Sequence, residues 1–194
     1  MNKNLFGKMI SQSKRQLEAW DLKPQNVHLV SGGAAWSGDC LSMFPPCTLT
    51  SLAVMYSASD HVAVALFLQG EADRLTLHLP CPFIRTVGKE GFKDSGKKDW
   101  RSNPGRTANI YHVQFSQALG RSSTREIALS IDRGATVVTH AGFHARNCLV
   151  AKSSFLIAFS WGAGEAPDDG GTKDTWDKCP ASTTRKHFSL HQLQ

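Results

Sequence analysis

The 194-residue chain has no Cys-x-x-Cys pair, and its five cysteines, Cys40, Cys47, Cys81, Cys148 and Cys179, are odd in number. That argues against a disulfide scaffold and against a zinc site, and reduced thiols in a cytoplasmic protein are the simplest reading. No metal and no cofactor are expected. No stretch is apolar for long enough to cross a bilayer, so no membrane partner is expected either. Residues 1–20 lack the continuous apolar core of a signal peptide. They carry Lys3, Lys8, Lys14 and Arg15, which partly fits a mitochondrial presequence. The near-helical recurrence of Leu5, Phe6, Met9, Ile10, Leu17 and Trp20 favours instead a first helix, within 1–22, packed on the domain. The chain has no run of five or six like charges and no recognisable nucleic-acid module, so no specific nucleic-acid partner is expected. It has no internal repeat and no linker, which leaves one domain over 1–194.

What is present is a globular composition, 41% hydrophobic and 20% charged, in a chain long enough for a real core. The net charge of +6 fits either an anionic ligand or a solvated basic surface. Two glycine signals stand at opposite ends of the chain. The apolar run 27–30 leads into Ser31-Gly32-Gly33-Ala34, and the run 155–159 is followed, after a loop, by Asp169-Gly170-Gly171-Thr172. Each reads as a buried strand delivering a glycine turn to a helix start. There, free backbone N–H groups and the positive end of a helix dipole meet an anion, usually a phosphate.

Between these signals strand-like and helix-like segments alternate. Strands are expected at 27–30, 75–79, 135–139, 155–161 and 187–190. Helices are expected at 52–68, with Asp60 and His61 in its middle, at 106–119, at 143–152 and after Thr172. Ser123-Thr124-Arg125-Glu126 reads as a capping box opening a helix to Arg133 that stops at Gly134. The alternation predicts an α/β, three-layer Rossmann-like fold, a parallel sheet with helices on both faces and its ligand site beyond the carboxyl ends of the strands. The loop 87–104, rich in Gly, Lys, Asp and Ser, is either a ligand cover or a mobile insertion.

The Ser31-Gly32-Gly33-Ala34 turn, the segment Phe143-His144-Ala145-Arg146-Asn147 with the strand after it, and Asp169-Gly170-Gly171-Thr172-Lys173-Asp174-Thr175 together resemble the SLOG superfamily. Its enzymatic branch is the cytokinin-activating phosphoribohydrolases, often labelled lysine-decarboxylase-like. The resemblance covers most of the chain from about Val27 onward. It implies a nucleotide-like small-molecule partner, a homodimer and a catalytic arginine at Arg146. The family's second loop normally reads Gly-Gly-x-Gly-Thr-x-x-Glu. This chain lacks the glycine before Thr172 and has Thr175 where the glutamate would stand, so Asp174 is the nearest carboxylate. A subgroup runs Ser-Gly-Gly-Ala-Ala-Trp almost directly into Asp-His-Val-Ala-Val. Here 31–37 and 60–64 match those two pieces, and 38–59 separates them. That block reads either as an insertion, conceivably translated intron, or as an ordinary βα connection.

The candidate ligand-binding residues are therefore Ser31, Gly32, Gly33, Asp60, His61, Arg106, Asn147, Gly170, Gly171 and Thr172. Arg146 and Asp174 are the candidate catalytic pair. A guanidinium binds phosphate or carboxylate bidentately. Asp60 with His61 could form an acid/base or ribose-binding pair, although a histidine beside valines is as readily structural. Arg106, Asn109 and His112 share a helix face and could reach a phosphate, or simply form a polar surface. Trp36, Trp161 and Trp176 are candidates to stack on a base. Two functions of different class follow: hydrolysis of the N-glycosidic bond of a nucleoside monophosphate, or nucleotide binding and sensing without catalysis.

Overall fold

In the computed structural model, six strands build one wholly parallel sheet and helices cover both of its faces. The structure describes residues 2–32, 50–55, 59–168 and 170–194. Gly33, Trp36, Cys40, Cys47 and Asp169 lie outside these residues. Among them are helix α1 (Lys3–Ala19), strands β1 (Val27–Ser31) and β2 (Thr50–Met55), α2 (Ser59–Gln69), β3 (Arg74–Leu79), β4 (Phe83–Thr86), β5 (Lys89–Phe92), α3 (Pro104–Leu119) and α4 (Ser123–Asp132). There follow β6 (Thr136–Thr139), α5 (Phe143–Val150), β7 (Phe155–Ser160), α6 (Gly170–Lys178), β8 (Thr184–Ser189) and α7 (Leu190–Leu193). The sheet order is β6-β3-β1-β2-β7-β8, and β4 and β5 form a separate antiparallel hairpin. This is the expected Rossmann-like α/β fold.

Period-two alternation along β1 and β3 decides what each face buries. The register pairs Leu29 with Leu75 and Val30 with Thr76. Leu29, Leu75 and Leu77 therefore share one face, and His28, Thr76 and His78 share the other. Helices α1 and α2 cover the leucine face; α5 and α6 cover the polar one. Helix α2 is apolar all round, with residues 62–66 no more than 4% exposed. Such a helix is stable only between two layers, and it lies between the sheet and the pair α1 and α4.

Three expectations are corrected. The run 52–68 is not one helix: Thr50–Met55 is a strand between β1 and β7, and the helix starts at Ser59. A continuous apolar run carries no periodicity that would separate a buried strand from a buried helix. The block 38–59 thus contributes a strand to the sheet; its other residues up to Ala58 lie outside those described. Helix α4 is capped by Ser122, whose side chain accepts from the Arg125 N–H, rather than by Ser123. Ser123 is buried one position inside, against His112 and Ser116. The loop 87–104 begins as the second half of a hairpin. Its remainder folds around buried Asn103, which donates to the carbonyl of Lys97 at 2.7 Å and accepts from the N–H of Ser95.

Candidate functional site

Strand β1 ends at the point where the chain places β3 on one side and β2 on the other, the crevice position of an open α/β sheet. The first glycine turn stands there. Asp60, the second residue of α2, accepts the Gly32 N–H on Oδ1 at 2.7 Å, and its backbone carbonyl accepts the Ser31 hydroxyl at 3.0 Å. From the other face, Arg146 of α5 donates through Nη1 to the carbonyl of Gly32, and the same nitrogen lies 3.6 Å from Asp60 Oδ2. Arg146 is fully buried, 0% exposed, and Asp60 is 1% exposed. A Cβ on Gly32 would stand 2.6 Å from Arg146 Nη1 and 2.9 Å from Asp60 Oδ2. Glycine is needed here for close approach, whatever its backbone angles.

The next residue of α5 reaches the second turn. Asn147, 1% exposed, donates to Asp174 Oδ2 at 3.2 Å, and Lys178 Nζ donates to the same oxygen at 2.6 Å. His144 Nδ1 stands 3.9 Å from it. Burial pushes the Asp174 carboxyl up, but the hydrogen bonds from Lys178 and Asn147 outweigh this and hold it below the usual carboxylate range. It is therefore ionised at neutral pH. The second turn itself is the opening of a helix rather than a loop before one: α6 starts at Gly170, which has φ +70°. Thr172 sits in its first turn, 1% exposed, and its hydroxyl has no hydrogen-bond partner among the described residues. Adjacent residues of α5 thus link the two glycine turns.

Two predicted residues have other neighbours. His61 is turned about 100° from Asp60 by the helix. It packs against Phe6 and Phe115 and is hydrogen-bonded to Glu126. Burial pushes the Glu126 carboxyl up, and the bond and charge of His61 more than offset that. Arg106 is exposed on α3, with Asp94 as its charged neighbour. Its helix mates are structural: Asn109 bonds both the N–H and the carbonyl of Phe92, each at 2.8 Å, and His112 bonds Ser123. Trp176 lies under the Arg185 guanidinium and Trp161 against His191.

One pair at this edge was not singled out from the sequence. His78 is the penultimate residue of β3 and His140 follows the neighbouring β6, and their Nδ1 and Nε2 atoms meet at 2.8 Å. Burial, followed by the charges of His140, Arg146 and His28, pushes His78 down to about 4. Histidines at the carboxyl ends of two strands were the available signal; that the strands are neighbours was not. Trp100, from the loop after β5, packs on Phe143 and His144 at the start of α5. Phe143 in turn lies under the Arg146 guanidinium.

Among the described residues no helix is long and apolar enough to cross a membrane. No protein-family model and no solved structure matches the chain. It is similar to Uncharacterized protein R261 of Acanthamoeba polyphaga mimivirus, 34% identical over 182 residues that cover 92% of this chain and 80% of the viral protein. At that identity and coverage, the chain belongs to the same family as mimivirus protein R261.

Proposed function

We propose that the chain is a SLOG-type module that binds a nucleotide-like, phosphate-bearing small molecule across the carboxyl edge of its sheet, between the Gly32 turn and the start of α6. The observation that carries this reading is Thr172. Its hydroxyl is buried and has no partner among the described residues, in the first turn of a helix that opens with two glycines. A buried hydroxyl without a partner costs about 1–3 kcal/mol, and a phosphate oxygen at the helix start would satisfy it and the open N–H groups together.

Binding without turnover is the reading we favour. Arg146, the candidate catalytic arginine, is committed to Gly32 and Asp60. Asp174 is held by Asn147 and Lys178. Hydrolysis is the second reading, supported by Asp174 being ionised and one-third exposed, as a carboxylate stabilising an oxocarbenium-like centre would need to be. A calorimetric panel of nucleosides and nucleoside monophosphates, run beside an assay for released base, separates the two. Monophosphates are expected to bind at least tenfold more tightly than their nucleosides, without base release. Base release would establish the enzyme, and equal binding of nucleosides and monophosphates would refute the phosphate site.

A further inference from the structure

A second constellation lies two strands away, at the carboxyl ends of β7 and β8. Ser160 closes β7, and its Oγ is 2.7 Å from Nε2 of His187 on β8. The other ring nitrogen of His187, Nδ1, is 2.7 Å from the carbonyl oxygen of Gly164. A carbonyl can only accept, so Nδ1 carries a proton, and in the neutral tautomer Nε2 is then the acceptor to which the Ser160 hydroxyl donates. A serine hydroxyl on a histidine whose tautomer is set by a third group is the arrangement that activates a nucleophile. The serine–histidine contact elsewhere in the molecule lacks this logic. The Ser123 hydroxyl faces the His112 carbonyl and the Ser116 hydroxyl as well as the His112 ring, so its proton is not committed to the imidazole.

Beside the pair is a cavity of about 460 Å³, lined by Gly164 and Glu165 of the loop, by Lys186, His187 and Ser189 of β8, and by Gln192 of α7. Ser189 is the register partner of Ser160, is 4% exposed, and has a hydroxyl with no partner among the described residues. Residues 163–165 are exposed. Of the pair it is His187 that lines the cavity; Ser160, 4% exposed, stands behind it at hydrogen-bond distance.

We propose that Ser160 and His187 form a nucleophile–base pair that reacts with small carboxylic esters at this cavity, independently of the two glycine turns. Ser160 Oγ bonds to the acyl carbon while its proton passes to His187 Nε2. The acyl–oxygen bond breaks and the leaving alcohol takes that proton. Water then attacks the acyl carbon, giving a proton to His187, and the Oγ–carbon bond breaks as the proton returns to Ser160.

The test uses the folded wild-type protein and an alkyl fluorophosphonate, which adds at phosphorus to an activated serine with loss of HF. One adduct per chain, mapped by peptide mass spectrometry to Ser160, is expected. So is a slowing of about 100-fold or more in His187→Gln, the usual worth of a general base. A burst of p-nitrophenol from p-nitrophenyl acetate should accompany it and vanish in Ser160→Ala. An adduct confined to Lys186 or Ser189, or no labelling above that of the heat-unfolded chain, would overturn the proposal without any variant having to fold.

Discussion

Asp60 and Arg146 hold the same residue, Gly32, from opposite faces of the sheet: the carboxylate takes its N–H at 2.7 Å and the guanidinium serves its carbonyl. The two side chains are 3.6 Å apart and almost wholly buried. One ion pair therefore ties α2, β1 and α5 together at the edge where the ligand is proposed to sit. It fixes the backbone of Gly32 on both sides.

Removing one partner leaves a buried charge uncompensated. Arg146→Ala is expected to lower unfolding stability by about 3–5 kcal/mol, read from the urea midpoint. Adding Asp60→Asn, which removes the stranded charge, should recover part of that loss. A cost under 1 kcal/mol for Arg146→Ala would show that the clamp does not contribute to the fold.

The buried histidines give stability a direction with pH. His78, His28 and His140 all have pKa values below the ordinary 6.5, His78 at about 4. The unfolded chain therefore binds protons first as pH falls, and folding loses free energy below about 6.5 until His78 itself protonates near 4. His78 alone can contribute up to about 3 kcal/mol of that loss. Unfolding curves at pH 7.5, 6.0 and 4.5 should show the decline, and His78→Gln should flatten it. A profile equally steep in His78→Gln would assign the decline to other groups.

Thr172→Val removes a hydroxyl that has no partner and keeps the shape of the side chain. The melting temperature should hold or rise slightly, because an unsatisfied buried polar atom is lost. Affinity for a nucleoside monophosphate should fall about tenfold, the worth of one hydrogen bond to a charged group. A drop in melting temperature with unchanged affinity would reverse the assignment and make Thr172 structural.

The block 38–59 can be tested by deletion. Gly32 bonds directly to Asp60, 28 positions later, as though a short βα turn joined them. Without the block, Asp60 would follow Gly32 by six positions, close to the usual length of such a turn, about 2–6 residues. Then β1, α2 and β3 form an ordinary βαβ unit, and β1 and β7, which run in the same direction, are free to pair. A chain with Ser37 joined to Asp60 is expected to be soluble and to unfold cooperatively, with a melting temperature no lower than that of the longer chain. An aggregated or non-cooperative product would show that Thr50–Met55 is an indispensable strand.

Much of the architecture was legible locally. The short apolar runs at 27–30, 75–79 and 155–161 became three strands of the sheet, and the polar–apolar rhythm of 106–119 and 123–133 became α3 and α4, because burial on one or both faces demands those periods. The SLOG resemblance, rather than periodicity, singled out Arg146, Asn147, Asp60, Gly32 and Thr172 as candidate site residues. It did not show how they are used. The sequence marked Arg146 as a cation to hold a phosphate; packing buries it on a backbone carbonyl instead. His61 looked like the companion of Asp60, and the helix turn sends it to Glu126. His78 and His140 are 62 positions apart, and Ser160 and His187 are 27 apart. Such pairs exist only because particular strands are neighbours in a particular register. By itself the sequence determined most of the strands and helices, though not β2 or the β4–β5 hairpin, and named many of the residues that carry chemistry. The tertiary structure decided which of those residues meet, since strand order and register are properties of the whole sheet.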